Sequence, residues 1–158
     1  MTIKNIIDFD VINYKKPSMF VIFPCCTFKC DKENGNQYCQ NWSLTKQPNI
    51  DISTTDLIKF YYNRNLANAV VLGGLEPFDS WKDLYEFVFV FRNLIPDDDI
   101  VIYSGYNKDE IQDKLNMLKQ FKNIIIKYGR YRPGQKPHRD ELLGVDLASD
   151  NQYAEKLS

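Results

Sequence analysis

The stretch AVVLGGLEP, at residues 69–77, shows most clearly how this chain folds. Its first four residues are apolar without interruption, and Gly73 and Gly74 follow them directly. A short apolar run without polar alternation predicts a strand covered on both faces, which is typical of a parallel sheet. Glycines followed by a proline predict a turn, so the strand is expected to end there.

Four more short apolar runs predict strands, and they lie at residues 19–23, 100–103, 123–126 and 142–147. Amphipathic stretches at residues 53–66, 79–95 and 107–121 predict helices, the third of which opens with a capping-box pattern at Asn107 and Glu110. The expected buried faces of the first two helices are Leu57, Ile58, Tyr61 and Leu66, and Leu84, Phe87, Val88 and Phe91. Strands that alternate with helices predict one α/β domain over residues 1–158, either doubly wound or a partial barrel.

Unusual residues follow each predicted strand at its carboxyl end. Cysteines follow the first strand, the glycine turn follows the second, and the segments SGY (104–106), YGR (128–130) and ASDNQ (148–152) follow the other three. Parallel α/β proteins bind ligands at this edge of the sheet. We therefore expect the functional site there.

Composition narrows the possible partners and the cellular location. The chain has 158 residues, of which 44% are hydrophobic, so it can bury a core without a metal or disulfide staple. Its formal net charge of -1 gives no field that would attract nucleic acid or an anionic membrane. The first ten residues lack an export signal, and no apolar run is long enough to span a bilayer. These features predict a cytoplasmic protein with reduced thiols.

All four cysteines lie in one loop, where Cys26, Cys30 and Cys39 are preceded by Cys25. Such clustering favours a bound metal or cluster over disulfides, which usually join distant segments. A structural zinc ion would need four ligands, with Cys25 as the fourth, whereas three thiolates suit an iron-sulfur cluster with one iron left open. The lone histidine, His138, is expected to be a surface residue of a basic loop.

The cysteines also resemble the signature of the radical S-adenosylmethionine superfamily, Cys-x3-Cys-x2-Cys with an aromatic residue before the last cysteine. Tyr38 holds that aromatic position and Asn41 matches a frequent asparagine, although residues 31–37 lengthen the last spacing. Residues 73–77 resemble the family's Gly-Gly-Glu-Pro turn with Leu75 inserted. Residues 104–106 and 148–152 resemble segments of the activating proteins of anaerobic ribonucleotide reductase.

This resemblance implies a fold, cofactors and a reaction. The fold would be a partial (β/α) barrel with a mostly parallel sheet and outer helices. Cys26, Cys30 and Cys39 would hold a [4Fe-4S] cluster. Cys25 is expected, from the usual behaviour of a free cysteine, to be a small buried filler or a bystander. The cluster would reductively cleave S-adenosylmethionine to a 5'-deoxyadenosyl radical, which would generate a glycyl radical on a partner protein, an anaerobic ribonucleotide reductase. A flavodoxin or ferredoxin would supply the electron.

The resemblance also implies which residues contact the S-adenosylmethionine. They are Tyr38, Gln40, Asn41, Gly73, Gly74, Glu76, Ser104 and Lys127. Tyr38 would lie against the adenine, the two glycines would allow close backbone approach, and Glu76 would accept from the ammonium group. Lys127 stands where related activases tend to carry an acidic residue, and it would pair with the methionyl carboxylate.

The basic loop at residues 130–139 predicts a docking surface for an acidic patch on the partner, through Arg130, Arg132 and Arg139. Two other functions stay open on sequence grounds. One is a radical enzyme that acts on a small molecule or peptide, like the compact carboxy-deazaguanine synthases. The other is a zinc-stabilised binding module without catalysis.

Overall fold

The computed structural model describes all residues from 1 to 158. Its strands are β1 (Thr2–Ile3), β2 (Asn5–Asp10), β3 (Ser18–Ile22), β4 (Ile50–Asp51), β5 (Ala69–Gly73), β6 (Asp99–Tyr103), β7 (Ile124–Tyr128), β8 (His138–Asp140), β9 (Val145–Leu147) and β10 (Tyr153–Lys156). Its α-helices are α1 (Lys29–Asn34), α2 (Thr54–Arg64), α3 (Trp81–Leu94) and α4 (Gln112–Leu118). Short 3-10 helices cover Trp42–Lys46, Pro77–Ser80 and Lys108–Ile111.

One six-stranded sheet forms the centre, in the order β10-β7-β6-β5-β3-β2. Its four inner strands run parallel, and the edge strands β2 and β10 run antiparallel to their neighbours. Helices flank the sheet, so the predicted partial (β/α) barrel with a mostly parallel sheet is confirmed. No helix combines the length and the apolarity that a membrane crossing requires.

Both faces of the sheet are covered, as the apolar runs predict. In β5, Val70 and Leu72 join the large core beneath the helices, whereas Ala69 and Val71 face a smaller core on the inner side. Tyr14, Leu143 and Leu147 also belong to that smaller core. Phe20 and Tyr103 pack against it and, together with Leu147, line a cavity.

The helix predictions hold with one exception. Ser53 caps α2 by accepting a hydrogen bond from the Asp56 N–H at 3.0 Å, and the capping box at Asn107 and Glu110 is present. The expected buried faces are observed, except that Leu66 is 45% exposed. Leu66 lies beyond the end of α2, because Asn65 adopts a left-handed conformation (φ 49°) that terminates the helix.

The fifth predicted strand, residues 142–147, is wrong as a member of the main sheet. Gly144 adopts φ +72° and donates its N–H to the Asp140 carbonyl at 2.8 Å, so a turn interrupts the run. Only Val145–Leu147 is extended, and it pairs antiparallel with β8. The strand that completes the sheet is β10, and both β10 and β2 lie outside the predicted strands.

Candidate functional site

A cavity of ≈ 710 Å³ lies at the carboxyl ends of the parallel strands. The loops after β3, β5, β6 and β7 and the segment around β9 all contribute to its walls. This is the edge where the sequence places every unusual motif. The sheet topology thus gathers five separate segments of the chain around one space.

Cys26, Cys30 and Cys39 all line this cavity, whereas Cys25 does not. The Phe28 N–H donates to the Cys26 Sγ at 3.3 Å, while the exposed Cys25 Sγ lies 3.3 Å from the Ser80 hydroxyl. The two adjacent thiols therefore have different surroundings. Because Cys25 is exposed, its expected role as a buried filler is wrong, and its role as a bystander stays a prediction.

The three sulfurs do not converge on a single point. No group of three or more His, Cys, Asp or Glu side chains is arranged to hold one metal ion. In a [4Fe-4S] cluster each cysteine binds a different iron, so its ligands surround a larger body than a single ion. Three thiols in the wall of one roomy cavity suit such a cluster with one iron left open.

The protonation of the thiols follows from their burial. Burial raises the pKa of Cys26 to about 12, and burial together with the neighbouring Cys39 raises the pKa of Cys30 to about 11. Both groups are therefore neutral thiols at physiological pH when no metal is bound. Because iron binds the thiolate form, cluster binding must release these protons.

The insertion at residues 31–37 is an ordered structure. It contains most of α1 and is closed by Asp31, whose Oδ1 accepts the N–H groups of Tyr38 and Cys39 at 2.8 Å each. Asn34 Nδ2 donates to the Cys30 carbonyl at 2.7 Å. The longer loop thus returns Cys39 to the neighbourhood of Cys30. The ring of Tyr38 is exposed and outside the cavity lining, so its contact with adenine stays a prediction.

Gln40 and Asn41 line the cavity, and Asn41 ties the cysteine loop to the turn after β5. Its Nδ2 donates to the Gly74 carbonyl at 2.6 Å. Gly74 itself requires glycine, because its φ is +81° and a Cβ there would lie 2.6 Å from Ile22 Cγ2. Gly73 does not line the cavity; its carbonyl accepts the Phe23 N–H at 2.9 Å.

Glu76 is buried where the ends of β5 and β6 meet. Its carboxylate accepts hydrogen bonds from the Ser104 hydroxyl at 2.9 Å, the Gly105 N–H at 2.8 Å and the Phe78 N–H at 3.2 Å. Burial nevertheless raises its pKa to about 7. The carboxylate joins two strand ends within the cavity wall, and its bond to an ammonium group stays a prediction.

Lys127 and Ser104 also lie in the cavity wall. Lys127 Nζ donates to the Gly129 carbonyl at 2.9 Å and lies 3.4 Å from the Ser104 carbonyl. Burial lowers the pKa of Lys127 to about 8, although Glu76 and Cys30 oppose this shift. The cavity therefore contains a buried amine and a buried carboxyl group, each close to its titration point at neutral pH.

Two further residues of the cavity wall, Tyr106 and Lys29, are not among the predicted site residues. The Tyr106 hydroxyl donates to Asp79 at 2.6 Å, and Lys29 Nζ lies 4.5 Å from the centre of its ring. Tyr106 belongs to the quoted SGY segment, but one tyrosine among ten carries little signal by itself.

Arg130 corrects the predicted docking surface. Only 5% of it is exposed, and its two terminal nitrogens each lie 2.6 Å from an oxygen of Glu110. A buried, paired arginine cannot attract a partner from solution. Arg132 and Arg139 are exposed and stay candidates, while His138 is half-buried in β8 and outside the cavity lining.

This arrangement defines the class of protein as a radical S-adenosylmethionine enzyme domain, with cysteines that follow the first parallel strand of a partial barrel. The family comparison agrees. The chain belongs to the family described as "4Fe-4S single cluster domain", whose model matches residues 18–152. The predicted cofactors, a [4Fe-4S] cluster and S-adenosylmethionine, are thereby confirmed, and the zinc module loses its support. Comparisons with curated proteins and with solved structures gave no match.

Proposed function

We propose that this chain generates a glycyl radical on a partner protein, and that the partner is an anaerobic ribonucleotide reductase. The observation that carries the proposal is how the described residues are used. They build the sheet, its helices and, at the carboxyl ends of the parallel strands, a cavity of ≈ 710 Å³ whose wall contains the three cysteines. This architecture suits a substrate group that another macromolecule presents at the mouth of the cavity.

Cys26, Cys30 and Cys39 hold the cluster in this proposal. When bound, the cluster and S-adenosylmethionine supply one-electron cleavage of a carbon-sulfur bond and so a radical that removes a hydrogen atom. Asn41 keeps the cysteine loop against the turn at Gly74 through its 2.6 Å hydrogen bond. The protein's part is to hold these components in register.

Glu76 and Lys127 bind the amino-acid end of S-adenosylmethionine in this proposal. Both are buried in the cavity wall, so few water molecules compete with a ligand for their charges. Lys127 Nζ pairs with the methionyl carboxylate, and Glu76 accepts from the ammonium group. Each ligand charge stabilises the charged form of its protein partner, against the effect of burial.

The ligand assignment is tested by replacing each cysteine singly with alanine and reconstituting the protein without oxygen. We expect the Cys26, Cys30 and Cys39 variants to lose the iron-sulfur absorbance and most of their iron. Cys25→Ala is the matched control, because Cys25 is the adjacent thiol outside the cavity lining, and it should bind iron normally. Iron loss in Cys25→Ala alone would reverse the assignment.

The reaction is tested by mixing the reconstituted protein, S-adenosylmethionine and a reductant with an anaerobic ribonucleotide reductase. A glycyl-radical doublet in the electron paramagnetic resonance spectrum is expected, and it should be absent when the reactive glycine of the partner is replaced by alanine. Cleavage of S-adenosylmethionine without any protein radical would refute the proposal and favour a small-molecule or peptide substrate.

A further inference from the structure

We propose that Glu110 and Arg130 are a positioning pair for Cys30, and that they act through the short helix α1. The proposal rests on the role of Cys30 as a cluster ligand. It goes beyond that role by assigning to two residues outside the cysteine loop the task of fixing one of the ligands.

Helix α1 cannot hold its own position. It has six residues, none of them buried, and its N-cap Phe28 adopts φ 52° without a side-chain cap. A helix of one or two turns is unstable in isolation, and this one has no apolar face to bury. Contacts outside the helix must therefore fix Cys30, which is its second residue.

Lys29 and Glu33 supply such contacts. They are four positions apart and so lie on the same side of α1, on either side of Cys30 in sequence. Lys29 Nζ lies 3.2 Å from Glu110 Oε1, and Glu33 Oε1 lies 3.0 Å from Arg130 Nε. Both ends of the helix are thus attached to the same pair of charged side chains.

The Glu110–Arg130 pair is well suited to serve as a fixed platform. Two parallel contacts of 2.6 Å join the side chains, and the Arg130 side chain is 6% exposed. Glu110 is also tied to its own helix start, because it accepts the Asn107 N–H at 2.9 Å. Bidentate pairs of this kind add geometric specificity to their energy.

Glu33 contacts one particular atom of the pair, the Arg130 Nε. This nitrogen is buried and has no aligned hydrogen bond, although it lies 3.0 Å from Glu33 Oε1. The contact is therefore an ion pair without an aligned hydrogen bond, next to a buried guanidinium. Removal of the Glu33 charge removes this electrostatic contact and frees the carboxyl end of α1.

The test uses Glu110→Gln and Glu33→Gln in the reconstituted protein. Glutamine at position 110 still accepts the Asn107 N–H, so the helix start is kept while the charge is lost. Glu155→Gln is the matched control, because Glu155 pairs with Lys108 at 2.8 Å and its side chain is 29% exposed, close to the 25% of Glu110.

We expect Glu110→Gln and Glu33→Gln to release iron to a chelator about 10-fold faster than the wild type does. An effect of this size is typical when a residue that orients a metal ligand is removed. Glu155→Gln should release iron at the wild-type rate. Added salt should speed release from the wild type more than from Glu110→Gln, which has already lost the ion pairs of Glu110 with Lys29 and Arg130 and keeps only the one between Glu33 and Arg130. The electron paramagnetic resonance spectrum of the reduced cluster should also broaden in Glu110→Gln and Glu33→Gln.

Two results would overturn the inference. One is iron release at the wild-type rate from both Glu110→Gln and Glu33→Gln. The other is a release rate that follows the unfolding temperature of each metal-free variant, with Glu155→Gln equally affected. Failure of the ligand assignment is distinguishable, because Cys30→Ala would then keep its cluster whatever happens at positions 33 and 110. Failure of the proposed reaction is distinguishable too, because iron release is measured without any partner protein.

Discussion

Glu76 and Lys127 are two buried groups of opposite charge type in one cavity. Burial raises the pKa of Glu76 to about 7 and lowers that of Lys127 to about 8, so without a ligand both groups titrate near neutral pH. A zwitterionic amino-acid group offers each of them an opposite charge. Ligand binding and protonation in this cavity are therefore coupled.

The pH dependence of the metal-free protein tests the state of Glu76. Because its pKa is raised from 4.5 to about 7 on folding, the folded state holds a proton that the unfolded state has lost between these values. Its contribution to the free energy of unfolding is complete below pH 4.5 and is lost as the pH rises through 7. The lowered pKa of Glu110, about 2, acts below this window.

We therefore expect the stability of the wild type to fall between pH 5 and pH 7.5 relative to Glu76→Gln, measured by denaturant unfolding at each pH. Glutamine cannot titrate, so its own curve should be flatter even if the variant is less stable throughout. Parallel curves for the two proteins would show that Glu76 is ionised normally.

Gly74 gives a second prediction at this scale. Alanine there would have φ +81° and a Cβ 2.6 Å from Ile22 Cγ2, so Gly74→Ala should lower the free energy of unfolding by about 2–4 kcal/mol. Gly105→Ala is the control, because its Cβ would lie 3.6 Å from the nearest atom, Glu76 Oε2. Equal stability of the two variants would mean that the turn relaxes freely.

At the scale of elements, continuous apolar runs predicted the parallel strands well because those strands are buried on both faces. β5 and β6 lie within one residue of the predicted ranges, and the helices follow from their caps and apolar stripes. The antiparallel edges were harder to predict. β2 reads NIIDFD, and β10 reads YAEK with no buried residue, so neither shows the pattern of an inner strand.

The site could be predicted as far as its motifs are local in sequence. Cysteine spacing and the glycine turn are of this kind, and the structure brings them to one cavity. Arg130 could not be placed correctly, because its basic neighbours suggest a surface loop while its partner Glu110 is 20 residues away. Pairing with an acidic residue that is distant in sequence gives no signal in the local composition. The helix in the insertion could not be predicted for the same reason, since contacts with residues distant in sequence stabilise it.

At the scale of the whole molecule, the surviving docking candidates are Arg132 and Arg139. Arg132 is exposed in the loop that follows Tyr131 of the cavity wall, and Arg139 is exposed in β8. Reversal of both charges to glutamate should slow glycyl-radical formation several-fold at low salt, and the difference should shrink as salt rises. Lys59→Glu, on the exposed side of α2, is the control and should have no effect. Normal activation rates in the double variant would exclude this loop as the dock.

The wide sequence separation of the cavity walls has a consequence for how the protein is made. Its cysteines lie within residues 26–39, but the lining extends from Ile12 to Gln152. A ribosome exposes the ligands long before it exposes the last wall, since chains emerge at about 5–20 residues per second. The thiols thus spend part of synthesis without the enclosure that shields them. We therefore expect the cluster to be loaded after synthesis, once the last segment of the cavity wall has folded into place.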